Sequence, residues 1–437
     1  MSELSLPELI DLFTSHNVHQ LLVKELAEND NSKNQIYLGH NYSSINILPL
    51  QSTVTDDNGR LKASLRLYWM DGSGALSHAP HTQLILYPQY PEVRLSGFLI
   101  ACENPPSVLM TSREAGRLLF LGITLDGSIL SYAAGPHSLV AGGYREGHFD
   151  QRAGVFYQIP LNALTGEADS RQILVEALRR VHKLGWIPGK RLSHGSFVDC
   201  FSPNCGGYTL EAELGIEPNG YSEPDYLGWE VKQHTVSNFD TLRASQPITL
   251  MTPEPTGGFY KSEGVENFIR TYGYVDKRGR PDRMNFGGVH IANKPNATTG
   301  LTLTLRGYNP SAGSITDIHG GITLVDANGY EAATWHYEGL ILHWNRKHAQ
   351  AAYVPSQSED KEGRQYRYGH KIRLGTGTDF SKFLQAMDAG RIYYDPGIKL
   401  ENMSTRPTTK RRSQFRIKPD DLQSLYDRME LINLLQD

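Results

Sequence analysis

The sequence predicts two domains of different class. Residues 1–150 read as a mostly β domain behind an initial helix, and residues 151–437 as an α/β domain whose helices flank a mixed central sheet. Three observations carry this prediction. Short apolar segments separated by turn dipeptides crowd the first 150 residues. An apolar stripe with helical period opens the second region at Ser170. A chain of 437 residues also exceeds the usual size of a single core.

Taken in order, residues 5–28 carry Ile10, Phe13, Val18, Leu21, Leu22 and Leu26 at imperfect helical spacing, with a candidate break at Asn17-Val18. Strand patterns follow at 35–38, 45–50, 61–69, 83–87, 94–101, 118–123 and 128–132. Asp57-Asn58-Gly59, Asp71-Gly72-Ser73-Gly74 and Asp126-Gly127 supply turns between them. In the segment 60–69, Leu61, Ala63, Leu65, Leu67 and Trp69 alternate with Arg60, Lys62, Ser64, Arg66 and Tyr68. Period-2 alternation sets the first group on a core and the second on an open, basic face. That face suits either DNA or plain solvent.

The Gly- and His-rich stretch 135–150 marks the expected domain boundary. A helix is predicted over 170–184, capped by Ser170, with Ile173, Leu174, Ala177, Leu178, Val181 and Leu184 as its stripe and Gly185 as its stop. A second helix is predicted over 208–214. Strands and loops are expected from there to a final helix over 420–435.

The net charge of −4 does not by itself indicate a nucleic-acid partner. The C-terminal region nevertheless holds basic runs at Arg346-Lys347-His348, across 364–373, and at Lys410-Arg411-Arg412 with Arg416 and Lys418. Such runs bind phosphate locally or serve as solvated faces. The start of the chain has no basic region followed by an apolar core, and no apolar stretch is long enough to span a bilayer. The cysteines are Cys102, Cys200 and Cys205, which fits a reducing cytosol and predicts buried thiols at 200 and 205. With no CxxC pair near His194, zinc is not expected. Neither a Gly-x-Ser-x-Gly elbow nor a P-loop pattern is present. These readings make the expected location cytoplasmic, with no membrane partner.

The chemistry-bearing segment is Pro224-Asp225-Tyr226-Leu227-Gly228-Trp229-Glu230-Val231-Lys232. Phosphodiester hydrolysis needs charge on the phosphate oxygens offset, a deprotonated water and help for the leaving oxygen. Mg²⁺ does much of this, and it is held by carboxylates together with water and phosphate oxygens. Asp225 and Glu230 supply carboxylates. On a strand, Glu230 and Lys232 share a face, and the Val231 carbonyl is a further metal-ligand candidate. An Asp followed by Glu-x-Lys recurs by chance in long chains, so spacing alone does not separate a site from ordinary surface. Pro224 and Gly228 mark turn positions around the motif. Glu211, on the predicted helix upstream, is a source of a third carboxylate or a solvated helix residue.

The run Gly206-Gly207-Tyr208-Thr209-Leu210-Glu211-Ala212-Glu213-Leu214-Gly215-Ile216, followed by Asn219-Gly220, Pro224-Asp225 and Gly228-Trp229-Glu230-Val231-Lys232, resembles the MvaI/BcnI family of restriction endonucleases. That family sits in the MutH-like branch of the PD-(D/E)xK nucleases. The helix exit Leu178-Arg179-Arg180-Val181-His182-Lys183-Leu184-Gly185-Trp186-Ile187-Pro188 is similar to the same family. A looser likeness runs through Phe286-Gly287-Gly288-Val289-His290, Thr299-Gly300-Leu301 and Arg412-Ser413-Gln414-Phe415-Arg416-Ile417. The stretch 192–205 is longer than the family's glycine-rich lead-in, and residues 1–150 are not covered. The resemblance implies a restriction-endonuclease-like fold and Mg²⁺-dependent hydrolysis of double-stranded DNA. It also implies Glu211, Asp225, Glu230 and Lys232 as catalytic residues, with Asp225, Glu230 and Val231 at the metal. A DNA methyltransferase encoded elsewhere and action as a monomer are further implications. His234, His290, Arg306 and Asn309, together with Arg60, Lys62 and Arg66, are candidate DNA contacts, each equally readable as structural or exposed. The alternatives are a modification- or lesion-sensing nuclease of the same fold and a non-catalytic DNA-binding regulator.

Overall fold

The computed structural model describes residues 4–28, 35–39, 47–57, 60–87, 92–124, 126–147, 149, 152–161, 170–202, 204–217, 225–244, 246–348, 350–361 and 363–436. The expected features at Ile45-Asn46, Asn58-Gly59, Asn219-Gly220 and Pro224 lie outside these residues, as do the side chains of Arg346, Lys347 and His348. The chain divides into two compact units, Met1–Leu174 and Val175–Asp437. The division falls after the Gly- and His-rich stretch because strand Phe156–Ile159 pairs with Val18–Leu26 and so belongs to the first unit.

In the first unit the opening helix is only Leu6–Ser15. The Ser5 backbone N–H donates to Glu8 Oε2 at 2.8 Å and fixes its start. Asn17, at φ 58°, reverses the chain, and Val18–Leu26 is a strand rather than a continuation of the helix. The apolar residues 18–26 satisfy either period, and pairing with Arg117–Thr124 decides for strand. Leu9, Ile10 and Phe13 pack on the seven-stranded sheet through Leu21, Val23, Phe120 and Leu130. Gly122 admits the helix: a Cβ there would lie 2.7 Å from Phe13 Cδ1. A five-stranded antiparallel sheet and the helices Ser107–Thr111 and Leu139–Glu146 also belong to this unit.

The alternating segment 60–69 is two strands, Leu61–Leu65 in the five-stranded sheet and Leu67–Met70 in the seven-stranded one. Its core set is buried as the alternation requires, and Arg66 sits where the chain changes sheets.

The second unit is built on a mixed six-stranded sheet. Its spine is the long strand Gln350–Asp360. On one edge, Arg364–Tyr368 and Lys371–Thr376 pair antiparallel with its two halves. On the other edge, Glu230–Thr235 runs parallel to it. Helix Cys205–Glu213 is bound to the sheet by Tyr368, whose hydroxyl donates to the Gly206 carbonyl at 2.7 Å. Helix Ser170–Lys183 is held by Arg179, whose Nε donates to the Leu434 carbonyl at 2.9 Å.

Further sheets and helices follow around a cluster of aromatic rings that includes Trp335, Tyr394, Phe415 and Phe383. Helices Gly264–Tyr272, Tyr337–His348 and Phe380–Asp388 occupy a region expected to hold only strands and loops. The expected final helix is a 3-10 turn, Pro419–Leu425, followed by the strand Arg428–Asn433. That strand gains a full ladder against Lys371–Thr376, which overrides its local helical propensity.

Candidate active site

The motif folds as a tight hairpin. Tyr226 and Trp229 exchange backbone hydrogen bonds of 2.9 and 2.8 Å around Leu227-Gly228. Both turn residues have positive φ, 48° and 86°, as a primed two-residue turn demands. Gly228 adopts that conformation freely, whereas Leu227 does so against its preference. The hairpin sets Asp225 across from Glu230. Asp225 Oδ2 accepts a hydrogen bond from the Val231 backbone N–H at 3.0 Å, which fixes the carboxylate beside the first residues of the strand.

Glu230 begins strand Glu230–Thr235 and is 1% exposed. A carboxylate so deeply buried is tolerable only with a compensating charge. Lys232, two residues along the same face, provides it: Lys232 Nζ stands 2.7 Å from Glu230 Oε1. Across the parallel ladder Glu230 faces Ala351, whose small side chain leaves room, while Lys232 faces Tyr353. The Tyr353 and Tyr426 hydroxyls lie 2.9 Å apart and sense the Glu230 charge. Burial, with a lesser contribution from that charge, pushes both phenols well above their ordinary range. Trp229 and Val231, both buried, anchor the strand from below.

Glu230 and Lys232 therefore share a strand face, as the spacing predicts, and the hairpin sets Asp225 opposite Glu230. The helix Cys205–Glu213 packs on the face that carries Gln233, since a Cβ on Gly206 would touch the Gln233 amide at 3.1 Å. Glu211 is half-buried on that helix. Among the described residues, no three His, Cys, Asp or Glu side chains converge closely enough to hold a metal, so Glu211 does not join the other two carboxylates in this arrangement. Just ahead of the helix, Cys200 and Cys205 form a disulfide rather than two separate thiols. The sequence predicts two buried thiols here, and spatial proximity across this short loop is not visible in a cysteine count.

Of the remaining candidates, His234 lies on the hairpin's own strand and on the face of Lys232, whereas His290, Arg306 and Asn309 are held by partners elsewhere in the second unit. His234 is 5% exposed and His290 is fully buried, so neither presents an edge to a DNA groove. Desolvation, aided for His234 by the Arg373 charge, holds both imidazoles down at about 4. His290 Nε2 is bonded to Thr299 Oγ1 at 2.9 Å. Arg306 is paired with Glu331, and Asn309 Oδ1 accepts from the Ser311 and Ala312 backbone N–H groups in a local turn. Arg60 and Lys62 share Asp56 at 2.8 and 3.2 Å, and Arg66 pairs with Asp126 at 3.0 Å. Each cation of that segment is thus held in an ion pair, with Arg60 and Lys62 sharing one aspartate, so two of the three charges are offset and a phosphate would compete with a carboxylate at each position. Tyr353 and Arg373, which share the face of Lys232, were not identified from the sequence. Their sequence neighbours carry no motif, and only the ladder places them there.

Comparison with known proteins decides the family. The model of the MvaI/BcnI restriction endonuclease family matches residues 175–426. The chain belongs to the MvaI/BcnI restriction endonuclease family. Membership makes it a nuclease of the restriction type, and the match begins with the first residue of the second unit. Among solved structures, the chain is similar to restriction endonuclease MvaI in complex with its cognate DNA substrate. The identity is 17% and the TM-score 0.45, over 61% of this chain and 99% of that one. It is also similar to MvaI in the absence of DNA, at 17% identity and TM-score 0.33, over 61% and 98% of the two chains. No curated protein matches the chain. No helix among the described residues is long and apolar enough to cross a membrane.

Proposed function

We propose that this family member is a sequence-specific endonuclease that hydrolyses double-stranded DNA with Mg²⁺, leaving 5′-phosphate and 3′-hydroxyl ends. The observation that carries the reading is the hairpin: Asp225 tied to the Val231 N–H, opposite a buried Glu230 that is paired with Lys232. The donor set fits Mg²⁺. Two carboxylates at a tight turn leave the remaining positions to waters and phosphate oxygens, as this cation prefers, and zinc would need more nitrogen or sulfur ligands. Asp225, Glu230 and the Val231 carbonyl would hold the ion. When bound, Mg²⁺ supplies positive charge against the phosphate oxygens and eases deprotonation of a water.

The chain's own groups do the rest. Lys232 keeps an ammonium beside Glu230, where it orients the attacking water and offsets the charge that grows on the phosphate. The Val231 N–H holds Asp225 in one orientation before substrate arrives, so little reorganisation is needed. Glu211 is proposed to act at longer range, through water. The site works in one copy of the chain, and a restriction role implies a DNA methyltransferase that protects the host sequence.

The test replaces Asp225→Asn, Glu230→Gln and Lys232→Met, one at a time. Each variant should lose Mg²⁺-dependent cleavage by about 10²–10³-fold or more while still binding duplex DNA. Near wild-type cutting by any one of them would remove that residue from the assignment.

One observation favours a second reading, a nuclease that senses modified DNA. Residues before Val175 form a compact unit of their own outside the family match. Digestion of unmodified against methylated DNA separates the two, since a restriction enzyme is blocked by modification and a sensor of modification depends on it.

A further inference from the structure

We propose that the Arg367 guanidinium is a preformed site for a backbone phosphate of the bound DNA, on the same face of the sheet as Lys232. This proposal rests on the nuclease reading. Arg367 pairs with Gln357 across the antiparallel ladder, and Gln357 shares its sheet face with Tyr353, the residue opposite Lys232. At about 3.3 Å per residue and 4.8 Å per strand, Arg367 and Lys232 lie roughly 16 Å apart along that face. This is about half of a B-DNA turn of roughly 34 Å. The stretch between them, His234, Tyr353 and Pro355, is buried, so a duplex would meet Arg367 at the exposed end of the face beyond that covered stretch.

Arg367 is exposed, yet it is held on several sides. Its guanidinium carbon sits 4.7 Å from the Trp186 ring centre and 5.4 Å from that of Phe239. Its Nε and Nη2 donate to Gln357 Oε1 at 3.0 and 2.6 Å. The Gln357 amide is itself oriented, since Nε2 donates to the Ser237 carbonyl at 2.8 Å. Gly369 makes room for the Phe239 ring, because a Cβ there would lie 2.5 Å from Phe239 Cδ1.

Among the described residues, no carboxylate pairs with Arg367. Arg60, Arg66, Arg283, Arg306 and Arg416, by contrast, all have acidic partners. Pinning a long side chain at the surface costs rotamer entropy, and here no anion of the protein repays it. The Nη1 edge remains available as a planar donor fork, the geometry that recognises phosphate oxygens. Phosphate is also the anion that a DNA-cutting enzyme meets along the length of its substrate.

The experiment uses the full-length protein and a mixed-sequence duplex, with binding titrated at several salt concentrations without divalent cation. Loss of one phosphate contact should reduce the slope of log K against log salt by about 0.9 in Arg367→Ala and weaken low-salt binding roughly tenfold. Arg367→Lys should keep most of the slope but bind several-fold more weakly, because an ammonium neither stacks nor forks. Phe239→Ala, which frees the arginine without removing its charge, should behave like the lysine variant. An unchanged slope in Arg367→Ala, with wild type binding and cutting normally, overturns this inference and leaves the nuclease reading standing. A wild-type protein that neither binds nor cuts duplex DNA overturns both.

Discussion

At the scale of single residues, burial decides which candidates retain a role. His290 and His234 were chosen from the sequence for their chemistry, but desolvation dominates both and lowers their titration from 6.5 to about 4. Between those values the unfolded chain binds protons that the folded chain does not. Stability is therefore retained above about pH 6.5 and lost as pH falls towards 4, on the order of 3 kcal/mol for each group at about 1.36 kcal/mol per unit. His290→Gln should show a shallower fall of the denaturation midpoint between pH 7 and pH 4.5 than wild type. Parallel curves for the two proteins would mean that His290 titrates normally.

The cations that the sequence offers as DNA contacts each have an acidic partner in the folded chain. Arg306 meets Glu331 and Arg66 meets Asp126, partners too distant along the chain for a local charge pattern to reveal. Asp225, Glu230 and Lys232 were legible because a hairpin and a strand are local structures. Their geometry depends on residues within the motif itself, and the Val231 N–H that fixes Asp225 is one of them.

At the scale of elements, the turn Leu227-Gly228 is the joint that sets the two carboxylates face to face. A primed turn favours Asn-Gly, and a leucine in the left-handed region is disfavoured by about 1 kcal/mol. Leu227 is 38% exposed, so its side chain contributes limited burial in return. Leu227→Asn should raise the melting temperature by about 2–4 °C and leave DNA cleavage unchanged. A fall in melting temperature would show that leucine packing outweighs backbone strain at this turn.

Element type was readable where one period dominated, as in Ser170–Lys183 with its single apolar stripe. It was not readable in Tyr337–His348 or Phe380–Asp388. Tyr337, Leu340, Ile341 and Trp344 of the one, and Phe380, Phe383, Leu384 and Met387 of the other, are buried in an aromatic core assembled from distant strands. Leu431 is 59% exposed, so Arg428–Asn433 owes its strand to ladder pairing rather than to an apolar face. The Cys200–Cys205 disulfide was equally invisible, and it withdraws the support that free thiols lent to a reducing compartment.

At the scale of the whole molecule, two compact units divide the chain and the family match falls within one of them. The hairpin, the mixed sheet and Arg367 all belong to the second unit. Helix Ser170–Lys183, which crosses the boundary at Leu174-Val175, is fastened to the second unit's last residues, where Arg179 donates to the Leu434 and Gln436 carbonyls at 2.9 and 3.0 Å. A chain beginning at residue 151 would carry strand Phe156–Ile159 without its partner Val18–Leu26, leaving an open, aggregation-prone edge. A chain of residues 170–437 avoids that edge and keeps the helix whole. It should fold, bind DNA and retain Mg²⁺-dependent cleavage, with weaker affinity or relaxed site choice. In the full-length protein, replacing Arg60, Lys62 and Arg66 together with alanine should reduce the salt slope of DNA binding by about 0.9 at most, because Asp56 and Asp126 offset two of the three charges. Cleavage assays on the 170–437 chain and salt titrations of the triple variant check the two expectations. A folded 170–437 chain without cleavage would make the first unit part of the catalytic complex. A fall in slope well beyond one phosphate contact in the triple variant would show that DNA displaces the two aspartates.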